Sequence, residues 1–443
     1  MPEQYLALGS FELLCGPTGS GKSERLKQRA KLLEFQKGKY LWVEPNLPGL
    51  IDLTSEEQWK NGSKAILSPA EPYQLLSQLD NHSHVFIDNI HGFQGPAICD
   101  TIEILMKKGI QVIGAGNDMD FRGEPFNEMG ALLCISTEVH KFTTQCYKKN
   151  CNNLATVTQR FIDKIPASHD SPTIIAGENI EHRPVCYDHL KVPNKMVTLP
   201  ADYVRVDLGP VPNLGKGHNP NVKLYFIEAI VGPMCGGKTL LLIDKVKKWN
   251  AYGLNWTLIK AETARGRGPV SSRETGEHFP TEFIDDNNPF KILDYAKNVE
   301  CIGIDEGQFF SDDISYVIRD LARAGKHVVV TGLDMSFKRE PIGSMPKILC
   351  AANHVEKVYA GCSHEHCNRQ ARYSQRYLVT LAGDKQTILK KTPAAYDLDT
   401  ICAGSLEQDT LNYEATCLLH NEVPGKPVAI PEKYLNLVLV KSG

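Results

Sequence analysis

Two Gly-rich segments of this sequence have the makeup of an anion cradle: GPTGSGKS, Gly16 to Ser23, and GPMCGGKT, Gly232 to Thr239. Both fit G-x-x-x-x-G-K-[ST], where glycines let backbone N–H groups curl around phosphate oxygens, the lysine reaches the terminal phosphates and the hydroxyl binds magnesium. In the second segment these parts are Gly232, Met234, Gly237, Lys238 and Thr239. Further on, the apolar run VECIGID ends at Asp305 and is followed directly by a second carboxylate, Glu306. At the C-terminal edge of a strand facing the Gly-rich loop, Asp305 suits the magnesium shell, and Glu306 can take a proton from an attacking hydroxyl. Two Cys/His sets complete the inventory: Cys362, Cys367, Cys417 and His420, and earlier Cys146, Cys151, Cys186 and His189. Three thiolates and an imidazole fit a closed, structural tetrahedral zinc site. His364 is an alternative to Cys362, but Lys148 occupies the matching place in the first set, which favours the cysteine if both sets bind metal alike.

These features come in pairs. Lys22 and Lys238 lie 216 positions apart, as do Phe121 and Phe337, Cys146 and Cys362, and Cys151 and Cys367. Asp88 of FIDNIHGF and Asp305 of GIDEGQFF lie 217 apart; Cys186 and Cys417, and His189 and His420, lie 231 apart. Such steady offsets mark an internal duplication, with an insertion late in the second copy. After the last ligand VPNKMVTLPADY parallels VPGKPVAIPEKY, matching Pro200 with Pro431 and Tyr203 with Tyr434. The unmatched GPVPNLGKGHNPN, residues 209–221, has linker composition, so the expected domains are 1–208 and 222–443.

The elements that must position this chemistry follow from periodicity. LYFIEAIV reads as a buried strand, and TLLLIDKVKKWNAY as a helix with Leu241, Ile243, Val246 and Trp249 on one side. LNWTLIK, VECIGID and HVVVTGL are further buried strands, and ISYVIRDLARAG is a helix closed by Gly325. Strands alternating with helices give parallel sheets. The expected fold class is therefore α/β: two tandem P-loop NTPase-like domains with parallel sheets, each followed by a small zinc-binding lobe.

Composition sets the outer bounds. The 443 residues are 42% hydrophobic and 23% charged, which excludes a disordered, collagen-like or coiled-coil chain. A net charge of -3, from 49 basic and 52 acidic residues, provides no overall field for nucleic acid or an anionic membrane. No apolar run is long enough for a membrane helix and the N-terminus lacks a signal-peptide pattern, so a cytoplasmic location is expected. The odd count of 13 cysteines suits metal ligands and buried thiols rather than a disulfide framework.

GPMCGGKT, GIDEGQFF, GLDMSFKREPIG and the paired Cys/His clusters, in this order, closely resemble the type II thymidine kinases. The resemblance covers residues 222 to 420 and, with less fidelity, 9 to 190. It implies an ATP- and magnesium-dependent kinase acting on the 5'-hydroxyl of thymidine, with deoxyuridine a further candidate, and Glu306 as general base. It also implies a thymine pocket of Met234, Gln308, Phe309, Leu333 and Phe337, a lasso loop carrying Tyr413, and zinc anchoring that loop. The family arginine near the phosphoryl group falls on Arg265 or Arg267, with Arg265 favoured. Ile342 stands where an aromatic is common and the lasso GSLEQDTLNYEATC is longer than usual, which affects the expected nucleoside preference.

The first copy has Asn89 in place of Glu306, no arginine in WVEPNLPGLIDL, and His182 in place of the lasso tyrosine. It is expected to be a structural or regulatory pseudo-kinase. Because the family forms homotetramers, two tandem chains are expected to self-associate in imitation of one. Two other readings compete: a P-loop NTPase that hydrolyses ATP without a nucleoside, and a zinc-dependent nucleic-acid-binding protein, to which KKN beside Cys151 lends slight support.

Overall fold

The computed structural model describes residues 7–48, 61–195, 226–271, 276–381, 388–400 and 411–439. The expected linker 209–221 lies outside the described residues. The first half opens with β1 (Phe11–Cys15), the Gly-rich loop and α1 (Lys22–Phe35). Then follow β2 (Tyr40–Pro45), β3 (Gly62–Leu67), β4 (His84–Ile87), α2 (Ala97–Lys107), β5 (Gln111–Gly116), α3 (Met129–Ile135) and β6 (Glu138–Lys141). These strands form one sheet in the order β3-β2-β4-β5-β1-β6, every neighbour parallel. β1 is buried throughout, as its unbroken FELLC predicts for a strand covered on both faces.

The second half repeats the plan. Its sheet places the strand Phe226–Val231 between His327–Gly332 and His354–Lys357, with Cys301–Asp305, Trp256–Ala261 and Glu282–Ile284 continuing outward, all parallel. The helix Lys238–Ala251 buries Leu242, Ile243, Val246 and Trp249. Leu242 thus takes the place expected of Leu241, because positions 242, 246 and 249 complete the 3.6-residue stripe while Leu241 lies at its margin, partly buried. Gly325 follows the helix Ile314–Arg323 with φ 79°, the left-handed conformation expected of its stop signal.

Each sheet is followed by a small antiparallel lobe. Val157–Ile162 pairs with Ile180–Val185 in the first half, and Tyr373–Leu381 pairs with Leu411–Thr416 and Ile388–Pro393 in the second.

The halves share one hydrophobic core through a pseudo-twofold contact between α3 and its counterpart, Met345–Ala351. Gly130 permits the approach, since a Cβ there would stand 2.7 Å from Pro346 Cβ. Two buried lysines cross the contact reciprocally. Lys141 Nζ bonds Asp118 Oδ2 at 2.7 Å, Leu349 O at 2.7 Å and Cys350 O at 3.2 Å. Lys357 Nζ bonds Asp334 Oδ2 at 2.7 Å, Leu133 O at 2.6 Å and Cys134 O at 3.0 Å. Each ammonium spends its three donors on one carboxylate and on carbonyls at the C-terminal end of the other half's helix, where positive charge is favoured. The C-terminal extension also crosses: Ala429 N donates to Asp100 Oδ2 at 2.7 Å, and the Tyr434 and Tyr73 rings stand 5.0 Å apart.

Candidate active site

The Gly-rich loop leaves the strand Phe226–Val231 at Gly232, where a Cβ would come within 2.3 Å of Val358 O; only glycine turns there. Gly237, at φ 83°, caps the helix that Lys238 and Thr239 begin. Lys238 Nζ donates to Pro233 O at 2.7 Å, curling back over the loop. Burial lowers the affinity of its ammonium for a proton, opposed by the charges of Glu306, Asp334 and Asp305. The first half repeats this geometry, with Lys22 Nζ on Pro17 O at 2.6 Å.

The strand Cys301–Asp305 delivers Asp305, buried, to the same end of the sheet. Its carboxylate accepts from Thr331 Oγ1 at 2.6 Å and pairs with Lys260 Nζ at 3.4 Å. Burial, then the neighbouring Glu306, raise its pKa despite the opposing pull of Lys260 and Thr331. Glu306 follows in the left-handed region, φ 59° and ψ 44°, unusual for a residue with a long side chain. Its Oε2 accepts from Gln308 Nε2 at 2.5 Å, while Gln308 Oε1 accepts from Leu333 N at 3.1 Å. Gln308 therefore links Glu306 to the end of the next strand. Gly343 N-terminal to the second-half interface helix lies against this turn: a Cβ there would meet Gln308 O at 1.9 Å.

Phe337 is buried under the Arg376 guanidinium, 3.9 Å from its ring centroid. Arg376 Nε also donates to the Tyr413 hydroxyl at 2.7 Å, so Phe337 and Tyr413 meet through a residue that motif reading overlooked. Met234, Phe309 and Leu333 are each half-buried. Arg265 lies in the 3-10 helix Glu262–Arg267, directly after the strand Trp256–Ala261, and its side chain falls outside the described residues. The first part of the lasso, residues 404–410, also lies outside them.

Arg376 belongs to a triplet, Ser374-Gln375-Arg376, that recurs 216 positions earlier as Thr158-Gln159-Arg160. Ser374 Oγ accepts from Met234 N at 2.9 Å, fastening the Gly-rich loop to the lobe, as Thr158 does for Thr18 N. Gln375 donates to Glu422 O and accepts from Glu422 N, clipping the chain just past His420. Arg376 holds Asp399 O at 2.5 Å and Thr400 O at 2.6 Å, at the foot of the lasso. The repeat itself was the available signal for this triplet. Lys260 and Thr331 left no such signal, because the first half has Glu44 and Ala115 in their places.

Both Cys/His sets converge. Cys362 Sγ and Cys417 Sγ each lie 3.5 Å from His420 Nδ1; Cys146 Sγ and Cys186 Sγ lie 3.6 and 3.3 Å from His189 Nδ1. In each set, four ligand atoms, including those of Cys367 and Cys151, fall within 4.8 Å of one another. Ligands at about 2.0–2.3 Å from a tetrahedral zinc stand roughly 3.5–3.8 Å apart, so both sets fit that ion. Cys362 is part of its cluster, whereas His364 stacks on His420 with ring centroids 3.8 Å apart.

In the first half Ser23 Oγ donates directly to Asp88 Oδ1 at 2.8 Å. Asn89 takes the Glu306 position with the same left-handed backbone, φ 51° and ψ 37°. His182 accepts from Arg160 Nε at 3.2 Å, in the manner of Tyr413.

Parallel sheets with a lysine-bearing glycine loop at their C-terminal ends make each half a P-loop phosphotransferase fold. The family model described as Thymidine kinase matches twice, over residues 9–190 and 225–420. Thymidine kinase of Coprothermobacter proteolyticus is 35% identical over 211 residues, covering 46% of this chain and 94% of the relative. Those of Mycoplasmoides gallisepticum and Mycoplasma genitalium are 35% and 31% identical, each covered over 84% of its length by 46% and 45% of this chain. The chain belongs to the thymidine kinase family, and it is a thymidine kinase enzyme that carries the family unit twice. Among the described residues, no helix is long and apolar enough to cross a membrane.

Proposed function

We propose that the second half, within residues 222–443, transfers the terminal phosphoryl group of ATP to the 5'-hydroxyl of thymidine or deoxyuridine, and that the first half turns nothing over. The observation carrying this reading is the carboxylate Glu306 beside Asp305 and Gln308, against Asn89 at the matching turn. Glu306 accepts the hydroxyl proton as the new P–O bond forms and the bond to the ADP oxygen breaks. Gly232, Gly237 and Lys238 cradle the phosphates; Thr239 and Asp305 would hold magnesium, which supplies charge neutralisation on the phosphates when bound. Arg265 neutralises the transferring group. Met234, Gln308, Phe309, Leu333 and Phe337 receive the base, and Tyr413 braces the lasso over it. The cytosol suits a kinase dependent on ATP and free thiols, and two chains pair to imitate a tetramer.

Phosphate transfer from ATP across a nucleoside panel tests this. Thymidine should exceed purine nucleosides and cytidine, and Asn89→Glu should add no detectable turnover, since the first half also lacks the counterparts of Lys260 and Tyr413. ATP hydrolysis at full rate without any nucleoside would instead favour the NTPase reading.

Each Cys/His set holds one structural zinc ion, the second fixing the strand that carries Tyr413 four residues before Cys417. Metal analysis should find two zinc per chain. Cys417→Ser should leave one and lower kcat/KM for thymidine by about tenfold or more, by loosening the lasso. Unchanged zinc content in that variant would remove the assigned ligand set.

A further inference from the structure

Phe337 belongs to a tight turn that is tied to the opposite half. Ser336 N donates to Glu340 O at 2.8 Å and Arg339 N to Ser336 O at 3.1 Å, closing the turn around the buried Phe337. Arg339 holds φ 57°, a left-handed backbone that costs free energy in a residue with a long side chain. The first half has Gly123 at the matching position, with φ 72°, where a glycine adopts that conformation readily. A strained residue of this kind persists only where its surroundings hold it.

What holds Arg339 comes partly from its own half and partly from the other. Lys426 Nζ donates to Arg339 O at 3.1 Å, and Arg339 Nη1 donates to Asn421 O at 3.4 Å. Its Nε, which has no hydrogen-bond partner among the described residues, stands 3.8 Å from Glu103 Oε2 on α2 of the first half. The two side chains are only 11% and 8% exposed, so the charges are paired in a poorly solvated place, where losing either partner is costly. The contact runs one way. Shifting Glu103 by 216 positions gives Arg319, and there Arg319 Nη1 meets a backbone carbonyl, Gly123 O, at 2.7 Å. A buried charge pair thus enters the turn of the half that carries Glu306, and a neutral acceptor replaces it in the half that carries Asn89.

We infer that Glu103, supplied by the half without the base, is a positioning residue for thymidine in the other half. By holding Arg339 it sets the turn Ser336 to Glu340, and with it the seat of Phe337 against Arg376, 3.9 Å from the ring centroid. This rests on the reading of Phe337 as part of the base pocket of a catalytic second half, and deepens it: the inert copy helps to shape the site it does not contain.

Steady-state kinetics of the full chain test the inference. Glu103→Gln keeps the side chain's shape and removes its charge; it should raise KM for thymidine about tenfold, the effect of a small misplacement of a bound substrate, while KM for ATP stays within about twofold. The double variant Glu103→Gln with Arg339→Gln leaves no buried charge, so it folds even where a single variant does not, and it should show the same thymidine effect. Arg319→Gln loosens the reciprocal contact and should leave KM for thymidine unchanged. An unchanged KM for thymidine in the double variant, or an equal rise in Arg319→Gln, would overturn the positioning role. The underlying reading is checked separately by Glu306→Gln. Full activity in that variant would overturn catalysis by the second half, whereas its loss, with KM unmoved by the Glu103 changes, would overturn the positioning role alone.

Discussion

Glu306→Gln is expected to lower the rate of thymidine phosphorylation by about 100- to 10,000-fold, the usual contribution of a general base. The amide is isosteric and its oxygen can still accept the hydrogen bond from Gln308, so the Gln308 bridge to Leu333 and the surrounding turn should survive. The loss should therefore fall on kcat, with KM for thymidine nearly unchanged, because the missing proton transfer matters only in the transition state. A variant within threefold of the parent would show that another group, or solvent, takes the proton. The same residue has a stability signature. A left-handed backbone costs a residue such as Glu roughly 1–2 kcal/mol, and Asn occupies that region more readily. Glu306→Asn should thus abolish transfer yet raise the thermal midpoint, reproducing what the first half has at Asn89.

Lys141→Met is expected to destabilise the whole chain by about 3–5 kcal/mol, the cost of leaving a buried carboxylate without its cation. Asp118 is only 4% exposed, and the lost ammonium also bonds Leu349 and Cys350 in the opposite half. Because the two halves share one core, denaturant unfolding followed by tryptophan fluorescence should show both halves weakened rather than the first alone. The double variant Lys141→Met with Asp118→Leu should recover most of the loss, since an apolar pair removes the stranded charge. A single-variant loss below about 1 kcal/mol would mean that water reaches Asp118 and that the lysine is not the clamp its geometry describes.

Much of this site could be read from residue order. Gly232, Lys238 and Thr239 form a local device: backbone N–H groups of one turn, opening one helix after one strand, need only consecutive residues to be recognised. Asp305 and Glu306 were equally legible, because a carboxylate pair ending an apolar strand in a parallel sheet must emerge at the ligand-bearing edge. The convergence of the Cys/His sets was legible because the same residue types were stated twice at matching positions. The duplication served throughout as an internal control, matching residues at fixed offsets without reference to any other chain.

What needed the folded chain were the groups that meet across long separations and whose side chains have many possible uses. Lys260 and Thr331 converge on Asp305 from two neighbouring strands, yet an isolated lysine or threonine in a buried strand indicates nothing about its partner. Arg376 stands out only when Phe337, Tyr413 and the carbonyls of Asp399 and Thr400 are found around one guanidinium. The reciprocal Lys141 and Lys357 clamps depend on two helices packing about a pseudo-twofold axis, and residue order does not reveal that the two copies face one another. Local chemistry is written in adjacent residues, where spacing constrains geometry; partnership between distant residues is decided by packing, which selects among many arrangements compatible with the same order.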